Sequence, residues 1–216
     1  MRLRNGEHGY GSVTRTLHWL TVLAIIGQFL IGATMASDEA FDREKDRIDA
    51  LEDAGKDLAK ERGAFAEDAF KAEIDRLDDG LDAREDAYFS TAFSDVISGD
   101  FFKDGISLPE VHVLLGLSVI LLGVARVAWR RLTPLPPWAP YLRLGERRLE
   151  GVLEKFLLTL LFVVPASGVL LIATGDDWLV THITAQLLLL AVVAVHVGLV
   201  TSHTVVRRDG QLRRML

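Results

Sequence analysis

Four histidines lie in or beside long apolar segments of this 216-residue sequence. His182 and His196 are fourteen residues apart in one charge-free run. That spacing places both imidazoles on nearly the same helical face, about 21 Å apart along the axis. His18 and His112 lie near the starts of two other apolar segments. Because an ionisable side chain inside a membrane helix usually marks a functional site, the pattern predicts two bis-histidine cofactor sites stacked across a bilayer.

Four apolar segments must position these histidines, and each has the length that a membrane span requires. They cover roughly residues 17–36, 111–129, 156–174 and 178–202. Spans of about 19 residues with few or no charges predict transmembrane helices. The fold class expected is therefore all-α, an integral membrane four-helix bundle. For the first segment, a cleaved signal peptide is the alternative, but its apolar stretch is longer than a typical signal peptide has and a polar arm precedes it.

A strongly acidic insert separates the first two spans. Residues 37–108 contain 22 acidic and 10 basic residues, many of them good helix formers. Apolar side chains recur there at helical spacing, at Phe41, Ile48, Leu51 and Leu58 and again at Phe70, Ile74, Leu77 and Leu81. We predict a soluble hairpin of two amphipathic helices, with helix breaks at Gly63 and Gly80. The expected domains are 1–36, the insert 37–108, and 109–216.

Basic residues outside the insert predict the orientation in the membrane. All fourteen Lys and Arg residues lie on or near one side, in residues 1–16, the loop 130–155, the tail 203–216 and at Arg126. The positive-inside rule then places both termini in the cytoplasm and the insert on the outer side. Prolines at 134, 136, 137 and 140 predict that the cytoplasmic loop 130–155 is extended and free of helix.

In this topology, the predicted depth of each histidine in the bilayer indicates which histidines form pairs. His18 and His196 fall near the cytoplasmic side, whereas His112 and His182 fall near the outer side. Each pair comes from two different helices, which is how helix bundles build internal cofactor sites. The absence of cysteine excludes iron–sulfur clusters and covalent haem attachment. Iron between two imidazoles would form a low-spin b-type haem, whose chemistry is electron transfer rather than oxygen binding.

Two further residues are predicted to support the cofactors. Arg126 is fourteen residues after His112, at the depth of the inner site, where a buried guanidinium needs an anionic partner such as a haem propionate, or else a quinone carbonyl. Gly116, one turn after His112, would let a flat macrocycle approach the helix. His8 lies in the polar arm and is not expected to bind iron. His203, seven residues after His196 on the same helical face, is expected at the cytoplasmic interface, as a propionate, lipid or quinone contact; the alternative is that it replaces His196 as the iron ligand.

The sequence resembles the bacterial cytochrome b561 family of four-helix, di-haem membrane proteins. The resemblance lies in YGSVTRTLHWL, VHVLLGLSVILLGVARVAWR, PASGVLL, AVHVGLVTSH and the ending RRDGQLRRML. It covers about 140 residues, all but the insert. The resemblance implies that His18, His112, His182 and His196 are the haem ligands. Many family members carry a histidine at the start of the third span, where this chain has Glu154 or Lys155.

The resemblance implies a multi-pass inner-membrane cytochrome that carries two haem b groups and exchanges electrons with the quinone pool. Superoxide:quinone oxidoreduction is the enzymatic hypothesis, although an insert of net charge −12 would repel superoxide. The same insert is predicted to dock a basic periplasmic redox protein. The alternatives are a membrane-anchor subunit of a separate dehydrogenase or reductase, and a haem-free scaffold or transporter. The bilayer and quinone are the other expected partners, and no nucleic-acid partner is expected.

Overall fold

The described part of the chain is entirely helical apart from loops. The computed structural model describes residues 2–6, 9–35, 39–101, 103, 105–208, 212 and 215. Its α-helices are α1 Ser12–Met35, α2 Glu39–Glu61, α3 Ala64–Ser98, α4 Leu108–Leu132, α5 Leu144–Thr174 and α6 Leu179–Thr201. A 3₁₀ turn, Asp176–Trp178, leads into α6, and a π-helical turn, Ser202–Val206, follows it. The all-α prediction is confirmed.

Four of these helices, α1, α4, α5 and α6 with its π-helical extension, are long and apolar enough to cross a membrane. Only 11–22% of the residues in their most apolar stretches are buried within the protein. Large apolar side chains such as Leu23, Leu121 and Leu187 are more than half exposed. Such outward-facing apolar surface is stable in lipid rather than in water, so the chain is a multi-pass membrane protein.

The chain forms two compact units, and the first consists of Met1–Gln28 together with Leu114–Leu216. In its core, Ala24 of α1, Val119 of α4 and Leu161 of α5 pack together. Gly123 lets the Phe162 ring approach α4, because a Cβ at this position would lie 2.9 Å from the ring. Helices α5 and α6 also contact each other. Small residues at such crossings are typical of membrane bundles.

The loop before α5 is shorter than predicted. Only residues 133–143 are irregular, and α5 begins at Leu144, so the prediction of a helix-free segment up to residue 155 is wrong. The prolines end at Pro140, and the Glu146 carboxylate then accepts a hydrogen bond from the backbone N–H of Arg143 at 2.9 Å. This capping contact starts the helix in a run of good helix formers.

The second unit, Phe29–Val113, contains the acidic insert. Helices α2 and α3 pack as a hairpin around Ile48, Ile74 and Leu81, with Phe70 alongside. Gly63 forms the turn with a φ of 100°, as the predicted break requires. The pairing of Lys45 with Asp78 at 2.9 Å links the two helices, and this hydrogen bond raises the pKa of Lys45. The side chain of Phe41 lies outside the part of the chain that the structure describes.

The second predicted break, at Gly80, is wrong, because α3 runs through it to Ser98. A glycine inside a helix costs only about 1 kcal/mol relative to alanine. The neighbouring Leu81 is buried against Ile48 and Ile74, and this packing outweighs the local preference. Gly99 ends the helix in the left-handed conformation, with a φ of 82°.

Candidate functional site

Three polar side chains of the predicted inner site come together in the first unit. His18 is on α1, Arg126 on α4 and His196 on α6. Arg126 lies within electrostatic range of both imidazoles, and His196 lies within range of His18. The His18 ring also packs edge-on against Trp19, with ring centroids 5.5 Å apart. Side chains that are up to 178 residues apart in sequence thus lie within electrostatic range of one another.

The surroundings of Arg126 include a carboxylate that the sequence analysis did not assign to the site. Glu154 of α5 acts electrostatically on Arg126 and on His196. Its direct partner is Arg130, at 3.0 Å. Tyr10, just before α1, also acts on Arg126. The inner group therefore contains two arginines and one carboxylate, which leaves positive charge available for an anionic ligand group.

His182 is buried and is held at both ring nitrogens. Its Nδ1 lies 3.1 Å from the Val164 carbonyl oxygen and 2.9 Å from Ser167 Oγ. The Ser167 hydroxyl donates to the same carbonyl at 2.7 Å. Because a carbonyl only accepts, the network assigns the proton to Nδ1 and the lone pair to Nε2. The Gln186 amide donates to that Nε2 at 2.6 Å.

A glycine makes room for the His182 ring. A Cβ on Gly168 of α5 would lie 3.0 Å from His182 Cε1, which is closer than ordinary van der Waals contact. Ser167 and Gly168 come from the sequence PASGVLL and follow Pro165 within α5. The same short segment therefore supplies both the hydrogen-bond partners and the space for this imidazole.

His112 lies one turn into α4, in the second unit. Ser107 and Glu110 form a capping box at the start of this helix: the Ser107 hydroxyl donates to Glu110 at 2.7 Å, and the Glu110 backbone N–H donates to Ser107 Oγ at 3.2 Å. The ring lies against Gly32 of α1, where a Cβ would be 3.5 Å from His112 Cε1. The pairing of His112 with His182 stays a prediction.

The other predicted site residues have different surroundings. Gly116 is buried, and a Cβ there would lie 3.5 Å from Gln28 Nε2 and 3.9 Å from Pro165 Cβ. Its proximity to a cofactor stays a prediction. His203 is buried and has the Tyr141 ring 6.1 Å away, and its predicted contact with a propionate, lipid or quinone stays a prediction. His8 lies outside the described residues.

The chemistry of these side chains fits b-type haem. A haem iron takes neutral imidazole nitrogens as axial ligands, and a ligating histidine commonly donates its other N–H to a carbonyl. His182 shows that arrangement, with Nδ1–H directed to Val164 and Nε2 carrying the lone pair. Rotation of the Gln186 amide, one turn along α6, would free this nitrogen. His18 and His196 would supply two imidazoles, and Arg126 a cation for a propionate.

Comparison of the sequence with models of protein families identifies the family of this chain. The family model described as prokaryotic cytochrome b561 matches residues 9–216, which include the insert. Neither a curated protein nor a solved structure gave a significant match. The matched range covers nearly the whole chain, and the four apolar helices agree with it. The chain therefore belongs to the prokaryotic cytochrome b561 family of membrane-bound b-type cytochromes that transfer electrons.

Proposed function

We propose that this chain is a di-haem cytochrome that passes electrons between a partner on the outer face of the membrane and the quinone pool. His18 and His196 would ligate the inner haem, and His112 and His182 the outer one. When bound, each haem would be held by two of these imidazoles and would supply one-electron transfer.

The gathering of His18, Arg126 and His196 carries the proposal. These residues come from three different helices, and the Arg126 guanidinium lies within electrostatic range of both imidazoles. Two neutral imidazoles would hold the macrocycle, while Arg126 would bind a propionate or orient a quinone carbonyl. Glu154 offsets part of the positive charge, so the group is suited to a ligand with a small number of negative charges.

At the other end of α6, the hydrogen bonds of His182 would fix the orientation of the outer ligand. Val164 and Ser167 hold the ring by Nδ1, and Gly168 leaves space for it. A ligand that is oriented before the cofactor binds loses little conformational freedom, and its basicity rises with the strength of the Nδ1 hydrogen bond.

Haem quantitation combined with a reduced-minus-oxidised spectrum tests this function. We expect two haems per chain and the sharp α-band of a low-spin b-type haem. His18→Ala and His196→Ala should each lose the same haem, as identified by its redox potential. His112→Ala should lose the other. His8→Ala and His203→Ala are the controls and should keep both. Loss of a haem in His203→Ala but not in His196→Ala would contradict the ligand assignment.

The acidic insert favours a basic redox protein as the electron donor. Its net charge of −12 attracts cations and repels superoxide. We expect electron transfer from a basic c-type cytochrome to slow as ionic strength rises, because salt screens the attraction. Quinone-dependent consumption of superoxide above that of a His18→Ala, His112→Ala double variant would instead support superoxide:quinone oxidoreduction. Copurification with a dehydrogenase would support the anchor-subunit alternative.

A further inference from the structure

The N-terminal arm, described at residues 2–6 and 9–11, forms a basic pocket next to the first membrane span. The pocket has a volume of about 240 Å³ and is lined by Arg2, Arg4, Gly6, Gly9, Tyr10 and Arg15. It therefore combines three guanidinium groups, one phenol and two glycine backbones. Within the described part of the chain, no acidic side chain lines this pocket.

Hydrogen bonds preform the arm. Gly6 and Gly9 pair through their backbones at 3.1 and 3.2 Å, and Ser12 N–H donates to the Arg2 carbonyl at 2.9 Å. The Asn5 amide donates to the Pro134 carbonyl at 3.2 Å. Asn5 Oδ1 also accepts from Gly11 N–H and from the Thr14 hydroxyl. A ligand that binds a preorganised pocket pays little for ordering it.

Gly11 closes the arm against α1. A Cβ at Gly11 would lie 2.4 Å from the Leu3 carbonyl oxygen, so only glycine permits this backbone contact. The contact holds Arg2 and Arg4 beside Arg15 of α1, although the three residues are up to thirteen positions apart. The basic cluster is thus a product of the folded arm as well as of local composition.

The position of the pocket selects a ligand found at the membrane surface. Helix α1 begins at Ser12, so the arm lies at the border of an apolar span, where lipid headgroups are located. Leu3, between the two arginines, is 67% exposed and offers an apolar contact for an acyl chain. Planar guanidinium groups bind phosphate oxygens through paired hydrogen bonds.

We propose that the arm pocket binds the phosphodiester headgroup of an anionic phospholipid. Arg2, Arg4 and Arg15 neutralise the phosphate, and Leu3 inserts beside the lipid chains. A zwitterionic lipid would bring its own cation into a pocket that is already basic, so the pocket discriminates in favour of anionic lipids.

Lipid binding to the purified, haem-loaded protein tests the proposal. Native mass spectrometry would compare phosphatidylglycerol with phosphatidylcholine for the wild type, for Arg2→Gln/Arg4→Gln and for Arg131→Gln/Arg148→Gln. The last variant removes the same charge from exposed positions outside the pocket. We expect phosphatidylglycerol binding to weaken at least about tenfold in Arg2→Gln/Arg4→Gln and to change little in the control, because each interfacial arginine contributes about 1 kcal/mol. Asn5→Ala should also weaken binding, although it removes no charge.

Several results would contradict the proposal that the pocket binds an anionic phospholipid. Equal weakening in both arginine pairs would mean that only the overall charge matters. Equal binding of the two lipids, or unchanged binding in Arg2→Gln/Arg4→Gln, would show that the pocket is not a site for anionic phospholipid. Displacement of the lipid by inorganic phosphate at matched concentration would identify a free phosphate site. Loss of haem from Arg2→Gln/Arg4→Gln would assign these arginines to a propionate instead.

Discussion

The imidazole of His182 is oriented by groups on two helices. Val164 and Ser167 of α5 take its Nδ1–H, and Gln186 of α6 meets its Nε2. The Val164 carbonyl also accepts from Ser167, so the three groups form one small network. Such a network fixes both the rotamer and the tautomer of a ligand, and its members act together rather than singly.

Replacement of Ser167 by alanine should weaken haem binding at His182. The change removes one hydrogen-bond partner of Nδ1 and leaves the carbonyl, so we expect affinity for one haem to fall by about 10- to 100-fold. Haem titration into the apoprotein would measure this affinity. Ser118→Ala is the matched control, because the Ser118 hydroxyl donates only within its own helix, to Leu114 at 2.7 Å. Equal losses in both variants would show that His182 is not involved.

At the scale of the elements, the crossing of α5 and α6 depends on a glycine. A methyl group on Gly168 would lie 3.0 Å from His182 Cε1 and would force the ring to move. Overpacking of this kind costs about 1–3 kcal/mol. The close approach thus links a helix crossing directly to the position of a predicted iron ligand.

Gly168→Ala should therefore lower the haem content more than it lowers the expression of the protein. We expect loss of one haem of two, measured by haem quantitation per chain. Gly145→Ala in the same helix is the control, because a Cβ there would meet open space. If Gly168→Ala keeps both haems with unchanged redox potentials, the close contact between Gly168 and the His182 ring does not restrict the imidazole.

The hairpin of α2 and α3 contains two glycines with opposite surroundings. A Cβ on Gly55 would lie 2.4 Å from Phe70 Cζ, whereas one on Gly80 would meet open space. Gly55→Ala should destabilise the hairpin by about 1–3 kcal/mol, because the ring must move. Gly80→Ala should stabilise it by about 1 kcal/mol, as in other exposed helix interiors. Amide hydrogen exchange in the full chain would measure both changes in the stability of the hairpin. A change of the same sign in Gly55→Ala and Gly80→Ala would contradict the packing.

At the scale of the whole molecule, charge is distributed between a basic membrane part and an acidic insert. The insert accounts for 22 of the 30 acidic residues, and the rest of the chain holds 14 of the 24 basic residues. By the positive-inside rule, this distribution predicts that the insert lies outside the cytoplasm and the tail within it. The orientation would decide which of the two proposed haems faces a soluble partner.

Labelling of introduced cysteines tests that orientation without background, because the chain has no native cysteine. Ser90→Cys is on an exposed part of the insert, and Gly145→Cys is exposed at the start of α5. We expect a membrane-impermeant maleimide to label the first in intact spheroplasts and the second only after permeabilisation. The reverse pattern would place both termini outside.

The sequence by itself determined the four spans, the hairpin insert and the positions of the histidines along them. These features depend on local composition and on helical periodicity, which can be read without knowing the partners of a residue. Predictions of helix boundaries from local sequence were wrong at two positions. Helix α3 continues through Gly80 because Leu81 is buried, and α5 starts early because Glu146 caps it.

Only the tertiary structure decided which groups surround the histidines and the arginines. The electrostatic effect of Glu154 on Arg126 and the hydrogen bond between His182 and the Val164 carbonyl both join residues on different helices. The hydrogen bond from Asn5 to Pro134 spans 129 residues. Such contacts depend on how helices cross rather than on their own sequence, since crossing angles and side-chain directions select a few partners among many that are compatible in polarity.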